Sequence, residues 1–335
     1  MRFNIDSDEG NVLRLWLTLD NPSDVPSLAV WAGGERVAEL GANTFRPDVR
    51  DHGLHATGEA GFTLDESSLP GITGMQDLEL RELTSGIPVY ARFQPDRQQR
   101  RKVLVWSRPS LMSLDSWVDR TQFSLVYPNI DTMSLETAGA VLDSSRAQSM
   151  VAIGRPNLLR FSELLDRQGF EVNFVLTDPY VDLAERLIIL LGQNPDAQPA
   201  LKRMVTSLHG TNLEDHRSLV RFFRTFERNE MFVLRSPMVR ALTKAPEEDV
   251  RRQDVSVALK VLSRHKLVCT EQSLHLFTDA VQQLSSLDPD VLRLAERVRQ
   301  IEAVSDLLNE DIALYRYVGL AVAVAHDANA GGVKP

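Results

Sequence analysis

FVLTDPYVDLAERL, residues 174–187, is the stretch whose reading decides the fold. Phe174 to Leu176 are apolar, and Thr177 ends the run. Asp178 is a good helix N-cap, and Pro179 suits the first helical position, where a missing N–H costs nothing. The stretch predicts a strand that turns directly into a helix. Such a junction presents free N–H groups and the positive end of the helix dipole, a common place to hold a phosphate. Two readings compete: a cofactor site, or a capped corner that serves only the fold.

The same alternation continues on both sides. SMVAIG (149–154) reads as a strand, RPNLLRFSELLDRQGF (155–170) as a helix ending near Gly169, and EVNFVLT (171–177) as the next strand. Upstream, KVLVW (102–106) is a short apolar run, followed by a turn and a helix around Leu114 to Val118. SLETAGAVLDSS (134–145) is a helix that Ser134 opens. Strands and helices at this spacing imply βαβ units and a parallel sheet. Beyond Gly192 the pattern is mostly helical, with candidates Ala200–Leu208, Leu213–Glu230, Val250–Ser263, Thr270–Leu284 and Asp288–Tyr317. HKLVCT (265–270) is a further candidate strand.

Residues 1–92 differ in kind. VLRLWLTL alternates, SLAVWAGGERVAEL reads as two strands joined at Gly33-Gly34, and LELREL and PVYARF supply later strands. Short strands with glycine and proline between them predict an antiparallel β-sandwich. The expected organisation is a β-sandwich domain (1–92), a basic linker (93–102), an α/β domain with a helical C-terminal part (103–330) and a flexible tail (331–335). The RFQPDRQQRRK segment (92–102) reads as a solvated connector or an anion-contacting arm.

A chain of 335 residues, 43% hydrophobic and 25% charged, is long enough for two packed domains. Its net charge of −9 argues against a general nucleic-acid binder. The single cysteine, Cys269, excludes an intramolecular disulfide or a cysteine zinc cage. MRFNIDSDEG has no apolar signal core, and ALYRYVGLAVAVA (313–325) is short for a bilayer and carries Arg316. A soluble, cytoplasmic protein without a transmembrane segment is expected. That apolar helix is read either as part of the core or as support for a homo-oligomer.

Ligands of such α/β domains sit at the carboxyl ends of the strands. Three ends are legible: WSRPSLMS (106–113), GRPN (154–157) and TDPY (177–180). Arg108 with Ser110 and Ser113, Arg155 beside Gly154, and Thr177 with Asp178 are the candidate anion ligands. Each is also readable as a turn or capped corner that serves only the fold. The first loop lacks GxxxxGK[ST] and has no glycine. Arg217, Arg221, Arg224 and Arg228 fall on one helical stripe, suited to an anionic polymer or to acids elsewhere in the fold. His209 and His216 are candidate general bases. No motif suggests a metal: HExxH is missing, and DSDEG (6–10) is a fragment of a calcium loop or an exposed turn.

VNFVLTDPYVDLAERL (172–187), SPMVRALTKAPEEDVRRQDVSVALKVLSRHKLVCTEQSLHLFTDAV (236–281) and LNEDIALYRYV (308–318) together resemble the bacterial carbohydrate sulfotransferases. That group carries a strand-RDP-helix, an NPxxRxL stretch and a late D-x-x-LY. The resemblance covers about two-thirds of the chain, roughly residues 103–320. It implies a parallel-sheet core of the P-loop type, the sulfate donor PAPS as cofactor, and group transfer to a glycan with Arg108 stabilising the transferring group. The family grips the donor's 3′-phosphate with an arginine before DP and a serine eight residues later; Thr177 and Glu185 stand there in this chain. GERVAELGANTFRPDVRDHGLHATGEAGFTLD (34–65) resembles a β-domain that precedes bacterial glycan-modifying enzymes, through Arg46-Pro47-Asp48, Gly53 and Gly61-Phe62. Two functions are expected from the whole: sulfotransferase-like transfer onto a cell-surface glycan with a donor that need not be PAPS, or an inactive scaffold of the same fold in polysaccharide assembly or export. Arg108 and Arg155 favour the first, Thr177 and Glu185 the second.

Overall fold

The computed structural model describes residues 1–108, 120–196, 199, 201–227, 230–245, 248–276 and 288–331. Ser110, Ser113, the helix expected around 114–118, Arg228 and the tail from 332 lie outside the described residues. The chain forms two compact units. One comprises Met1–Leu104, Val118–Gly154 and Phe161–Glu171; the other comprises Val105–Trp117, Arg155–Arg160 and Val172–Pro335.

The N-terminal residues build two four-stranded antiparallel sheets. The first, in the order β1-β2-β6-β5, uses β1 (Arg2–Asp8), β2 (Leu13–Thr18), β5 (Thr44–Phe45) and β6 (Glu59–Leu64). The second, in the order β4-β3-β7-β8, uses β3 (Ser27–Ala32), β4 (Glu35–Gly41), β7 (Glu79–Glu82) and β8 (Pro88–Ala91). The period-two pattern explains them: Leu13, Leu15 and Leu17 are buried while Arg14 between them is exposed. Gly33 and Gly34 both take positive φ, as the two-residue turn between β3 and β4 requires.

The Arg-Pro-Asp stretch is a structural device in this unit. Pro47 starts the five-residue helix α1 (Pro47–Asp51), and Arg46 donates from Nε and Nη2 to both Asp48 oxygens, at 2.9 and 2.7 Å, and pairs with Asp6. The Arg46 hydrogen bond holds the Asp48 carboxyl down at about 2. Gly61 is needed for close packing: a Cβ there would lie 2.6 Å from the Thr44 carbonyl oxygen and 2.7 Å from Arg46 Cγ.

Five strands form the parallel sheet that the βαβ pattern predicts. They are β9 (Lys102–Trp106), β10 (Leu125–Tyr127), β11 (Met150–Gly154), β12 (Phe170–Leu176) and β13 (Leu267–Thr270), in the order β10-β11-β9-β12-β13. Every residue of β9 and β11 is buried, as expected for strands covered on both faces. The helices between them are α2 (Leu135–Leu142), α3 (Leu158–Arg167) and α4 (Pro179–Leu191). The Ser134 hydroxyl caps α2 by accepting from the Thr137 N–H at 3.2 Å. The three-residue β10 has no signal of its own in sequence. It exists because Leu125–Tyr127 pairs with Met150–Ala152 of β11.

Gly154 closes β11 with φ of +145°. A Cβ there would meet Asp131 Oδ1 at 2.5 Å and Ile130 Cγ2 at 2.8 Å. The backbone approach that this glycine permits is therefore to the Ile130–Thr132 turn. Gly154→Ala is expected to destabilise by about 2–4 kcal/mol, combining overpacking with backbone strain. Urea denaturation monitored by circular dichroism measures it.

The C-terminal part is helical: α5 (Lys202–His209), α6 (His216–Thr225), α7 (Pro237–Thr243), α8 (Asp254–Leu262), α9 (Pro289–Arg299), α10 (Glu302–Leu307) and α11 (Asn309–Gly331). Helices begin at His216 and Asp254 where the sequence predicts Leu213 and Val250, and a helix end and a helix break also differ from the sequence expectation. The helix expected to reach Glu230 ends at Thr225, where Phe226 turns extended and buries its ring edge-on against Phe222 at 5.4 Å. The single helix expected over 288–317 is three, because Ile301 and Leu308 leave helical geometry to be buried. Neither break carries a glycine or proline. Thr270–Leu284 opens as a short 3₁₀ segment, Glu271–Leu276, and residues 277–287 lie outside the described residues.

Candidate functional site

The TDPY corner is capped and closed. Asp178 Oδ1 accepts from the Tyr180 N–H at 2.9 Å and, at longer range, from the Val181 N–H. Its Oδ2 accepts from Arg299 Nη2 at 3.1 Å, and the Arg299 guanidinium lies over the Tyr180 ring, 4.5 Å from its centroid. The Asp178 N–H donates to the Glu271 carboxyl group at 2.8 and 2.9 Å. Both oxygens of Asp178 are thus engaged by the fold. The Thr177 hydroxyl is buried and has no hydrogen-bond partner among the described residues.

Arg108 and Arg155 meet behind this corner, on one carboxylate. Asp182, in the first turn of α4, is fully buried. Arg155 Nη2 donates to its Oδ1, and Arg186 Nε donates to its Oδ2 at 3.1 Å. Arg108 Nε lies 3.3 Å from Asp182 Oδ1 and donates to Glu185 Oε2 at 2.5 Å. Burial pushes the Asp182 carboxyl upward. The guanidiniums of Arg155, Arg186 and Arg108 more than offset this and hold it well below the usual carboxylate range. Trp106 forms the floor: its ring lies 5.7 Å from the Arg155 guanidinium and its Nε1–H donates to the Pro156 carbonyl at 3.2 Å.

Three buried residues close to these strand ends keep unused hydrogen-bonding capacity. The groups are Arg155 Nε and Nη1, the Ser107 hydroxyl and the Thr177 hydroxyl. Ser107, Arg155 and Thr177 directly follow β9, β11 and β12, three neighbouring strands. Buried groups of this kind are satisfied by an ordered water or by a ligand oxygen.

The second and third stretches of the resemblance also come together. Ser236 is in the left-handed region with φ of 39°, is buried, and donates to Glu310 Oε2 at 3.0 Å. Pro237 opens α7, and the Met238 and Val239 N–H groups donate to Asp311 at 3.0 and 2.8 Å. Burial pushes Asp311 up to about 7 despite these two donors. Arg235 pairs with Asp249 and lies 3.9 Å from Glu310. Burial likewise pushes Glu271 up to about 8.

These upward shifts fix a sign. A carboxyl that holds its proton more tightly when folded adds stability below its unfolded pKa, and that stability is lost as pH rises through the folded value. Glu271 should make the protein less stable as pH rises from about 4.5 toward about 8, and Asp311 as it rises from about 3.8 toward about 7. Glu271→Gln should flatten its share, on the order of 2 kcal/mol after discounting for partial exposure. Denaturation midpoints at a series of pH values measure it.

The structure does not bring the histidines to this cluster. His209 is exposed at the end of α5, and His216 is exposed at the start of α6. Arg217, Arg221 and Arg224 are exposed on α6, without an ion-pair partner among the described residues. His216, Arg217 and Arg224 line a groove of about 570 Å³ together with Glu302 and Asp306. Among the described residues no cluster of three or more His, Cys, Asp or Glu is arranged to hold a metal. Asp6 and Asp8 of DSDEG are held by Arg46 and by Arg92 and Tyr90. Cys269 is buried, and burial pushes its thiol up to about 12. No helix among the described residues is long and apolar enough to cross a membrane.

Asp182 is the residue that sequence reasoning missed. Its signal was the D-x-x-E-R spacing of Asp182, Glu185 and Arg186, which puts two acids and a cation on adjacent turns of α4. Compared with family models, curated proteins and solved structures, the chain matches none.

Proposed function

We propose that this chain is a sulfotransferase-like protein that binds rather than transfers: a catalytically inactive scaffold in the assembly or export of a bacterial surface polysaccharide. The observation that carries this reading is the 2.5 Å contact from Arg108 Nε to Glu185 Oε2, with Asp182 Oδ1 at 3.3 Å. The arginine that a transferring group would need already faces two carboxylates. Three guanidiniums and two carboxylates leave one net positive charge among Arg108, Arg155, Arg186, Asp182 and Glu185. An incoming phosphate would be drawn by only that single charge and would meet both acids at close range, which weakens its hold. The residues present do not fit PAPS in the manner of the family, because Glu185 and Thr177 replace its serine and arginine. The glycan would lie along Arg217, Arg221 and Arg224.

A second reading, glycan transfer with an altered donor, is favoured by Arg155. Its Nε and Nη1 are buried without partners among the described residues, and the Ser107 and Thr177 hydroxyls are equally unpaired. Such groups at strand ends suit the anionic oxygens of a donor.

Thermal shift with PAPS, its desulfated product and common nucleotide sugars separates the two. The scaffold reading expects no stabilisation of the natural chain by any of them. A ligand at a hundred times its Kd stabilises by about 2.7 kcal/mol. A shift of that order, lost in Arg155→Lys, would overturn the scaffold reading in favour of transfer.

A further inference from the structure

The C-terminal helix α11 is two-faced. Leu314, Val318 and Val322 are buried against its own unit. On the opposite side Tyr317, Leu320 and Val324 are 56%, 65% and 68% exposed. Spacings of three and four residues put these three on one stripe, with the exposed Ala321 beside it. A stripe of large apolar side chains without a cover marks an interaction surface.

Its flanking charges say what covers it. Arg316 and Asp327 are both exposed, and neither has an ion-pair partner among the described residues. They are eleven residues apart, about three helical turns, so they share one flank of the stripe. When two copies of α11 pair antiparallel about a two-fold axis, that flank faces its own counterpart. With the stripe centred between Leu320 and Ala321, Tyr317 packs on Val324 of the second copy. Arg316 then comes within about 3 Å, measured along the axis, of Asp327 of the second copy, and the symmetry makes this contact twice. In a parallel two-fold pair that flank would face the opposite flank of the second copy, and Arg316 and Asp327 would lie on different sides of the seam without meeting.

We infer that this chain self-associates through α11 as an antiparallel, two-fold helix pair, with Arg316–Asp327 bridges on its flank. The inference is independent of the Arg108–Asp182 cluster and of the function assigned to it. The exposed stripe supplies on the order of a few hundred Å², against about 800 Å² per partner in a stable interface. The association is therefore weak and appears only in concentrated protein.

Sedimentation velocity of the full chain from about 1 to 200 μM tests it, over the range where micromolar-to-millimolar affinities register. A concentration-dependent dimer is expected. Leu320→Glu should weaken it about tenfold or more, because it places two like charges at the centre. Arg316→Asp should weaken it, and Arg316→Asp with Asp327→Arg should restore it. Under oxidation Leu320→Cys should cross-link two chains, since the paired sulfurs lie near the axis. Val324→Cys should not, being displaced by about 10 Å from its mate. Far-ultraviolet circular dichroism of each variant checks that the fold is kept. A monomer throughout the range would overturn the inference and leave the stripe to a different partner. A dimer indifferent to Leu320→Glu would overturn it too, as would cross-linking of the Val324→Cys variant in place of the Leu320→Cys variant.

Discussion

Asp182→Asn is expected to destabilise the protein by about 3–5 kcal/mol, the usual cost of leaving buried charge without its counter-ion. Asp182 is fully buried, and its two oxygens face Arg155, Arg186 and Arg108. An amide keeps the shape but presents one acceptor and two donors, so it meets at least one guanidinium with the wrong polarity. Glu185 still neutralises Arg108, which limits the loss. Arg155 pairs with no other carboxylate among the described residues and is left as a buried cation. Equilibrium unfolding in urea measures the change, followed by a probe of the α/β part such as the environment of Trp106. The pH dependence gives a second check. Asp182 is held low in the fold, so its contribution is present above its unfolded pKa and lost as pH falls toward acid. The natural chain should lose stability toward low pH through this group, and the Asn variant should not. A cost below about 1 kcal/mol would mean that water compensates the cluster far better than its burial implies.

Trp106→Ala should be of similar size, about 3–5 kcal/mol for a fully buried aromatic whose cavity cannot refill. Trp106 closes the central strand β9 and is fully buried. Its ring packs on Phe174 with centroids 5.6 Å apart, and it carries the Arg155 guanidinium. Trp106→Phe separates these contributions. It keeps most of the packing, loses the hydrogen bond to Pro156 and weakens the contact with Arg155. About 1–2 kcal/mol is expected for it. Urea titration of both variants at one pH gives the comparison. If the Phe variant is as damaged as the Ala variant, the polar contacts outweigh the packing.

Much of the fold is legible because its causes are local. Asp178, Pro179 and Gly192 mark the start and end of α4 within a few residues of the helix itself. Ser134 does the same for α2, and Gly33-Gly34 for the β3–β4 turn. The helix breaks at Thr225, Ile301 and Leu308 were not legible. No residue there breaks a helix, and burial of Phe226, Ile301 and Leu308 overrides the local preference.

The candidate site divides in the same way. That Arg108, Arg155 and Thr177 would stand at strand ends follows from the alternation of strands and helices alone. Whether those arginines are open to a ligand does not. Arg155 meets Asp182 across 27 residues of chain, and Arg108 meets Glu185 across 77. The two histidines show the converse: their side-chain chemistry suited a general base, and the fold leaves both in solvent.

By its own order of residues, then, the chain determined the classes of its layers. Hydrophobic period and cap chemistry act within one or two turns, and they specify antiparallel strands first, a parallel sheet next and helices last. Only the tertiary structure decided which charges neutralise one another. Ion pairing between distant segments depends on strand order and on burial, and neither is written at any single position. That is why a corner reading as a phosphate clamp holds Asp178 against Arg299, and why Arg108 faces two acids of α4.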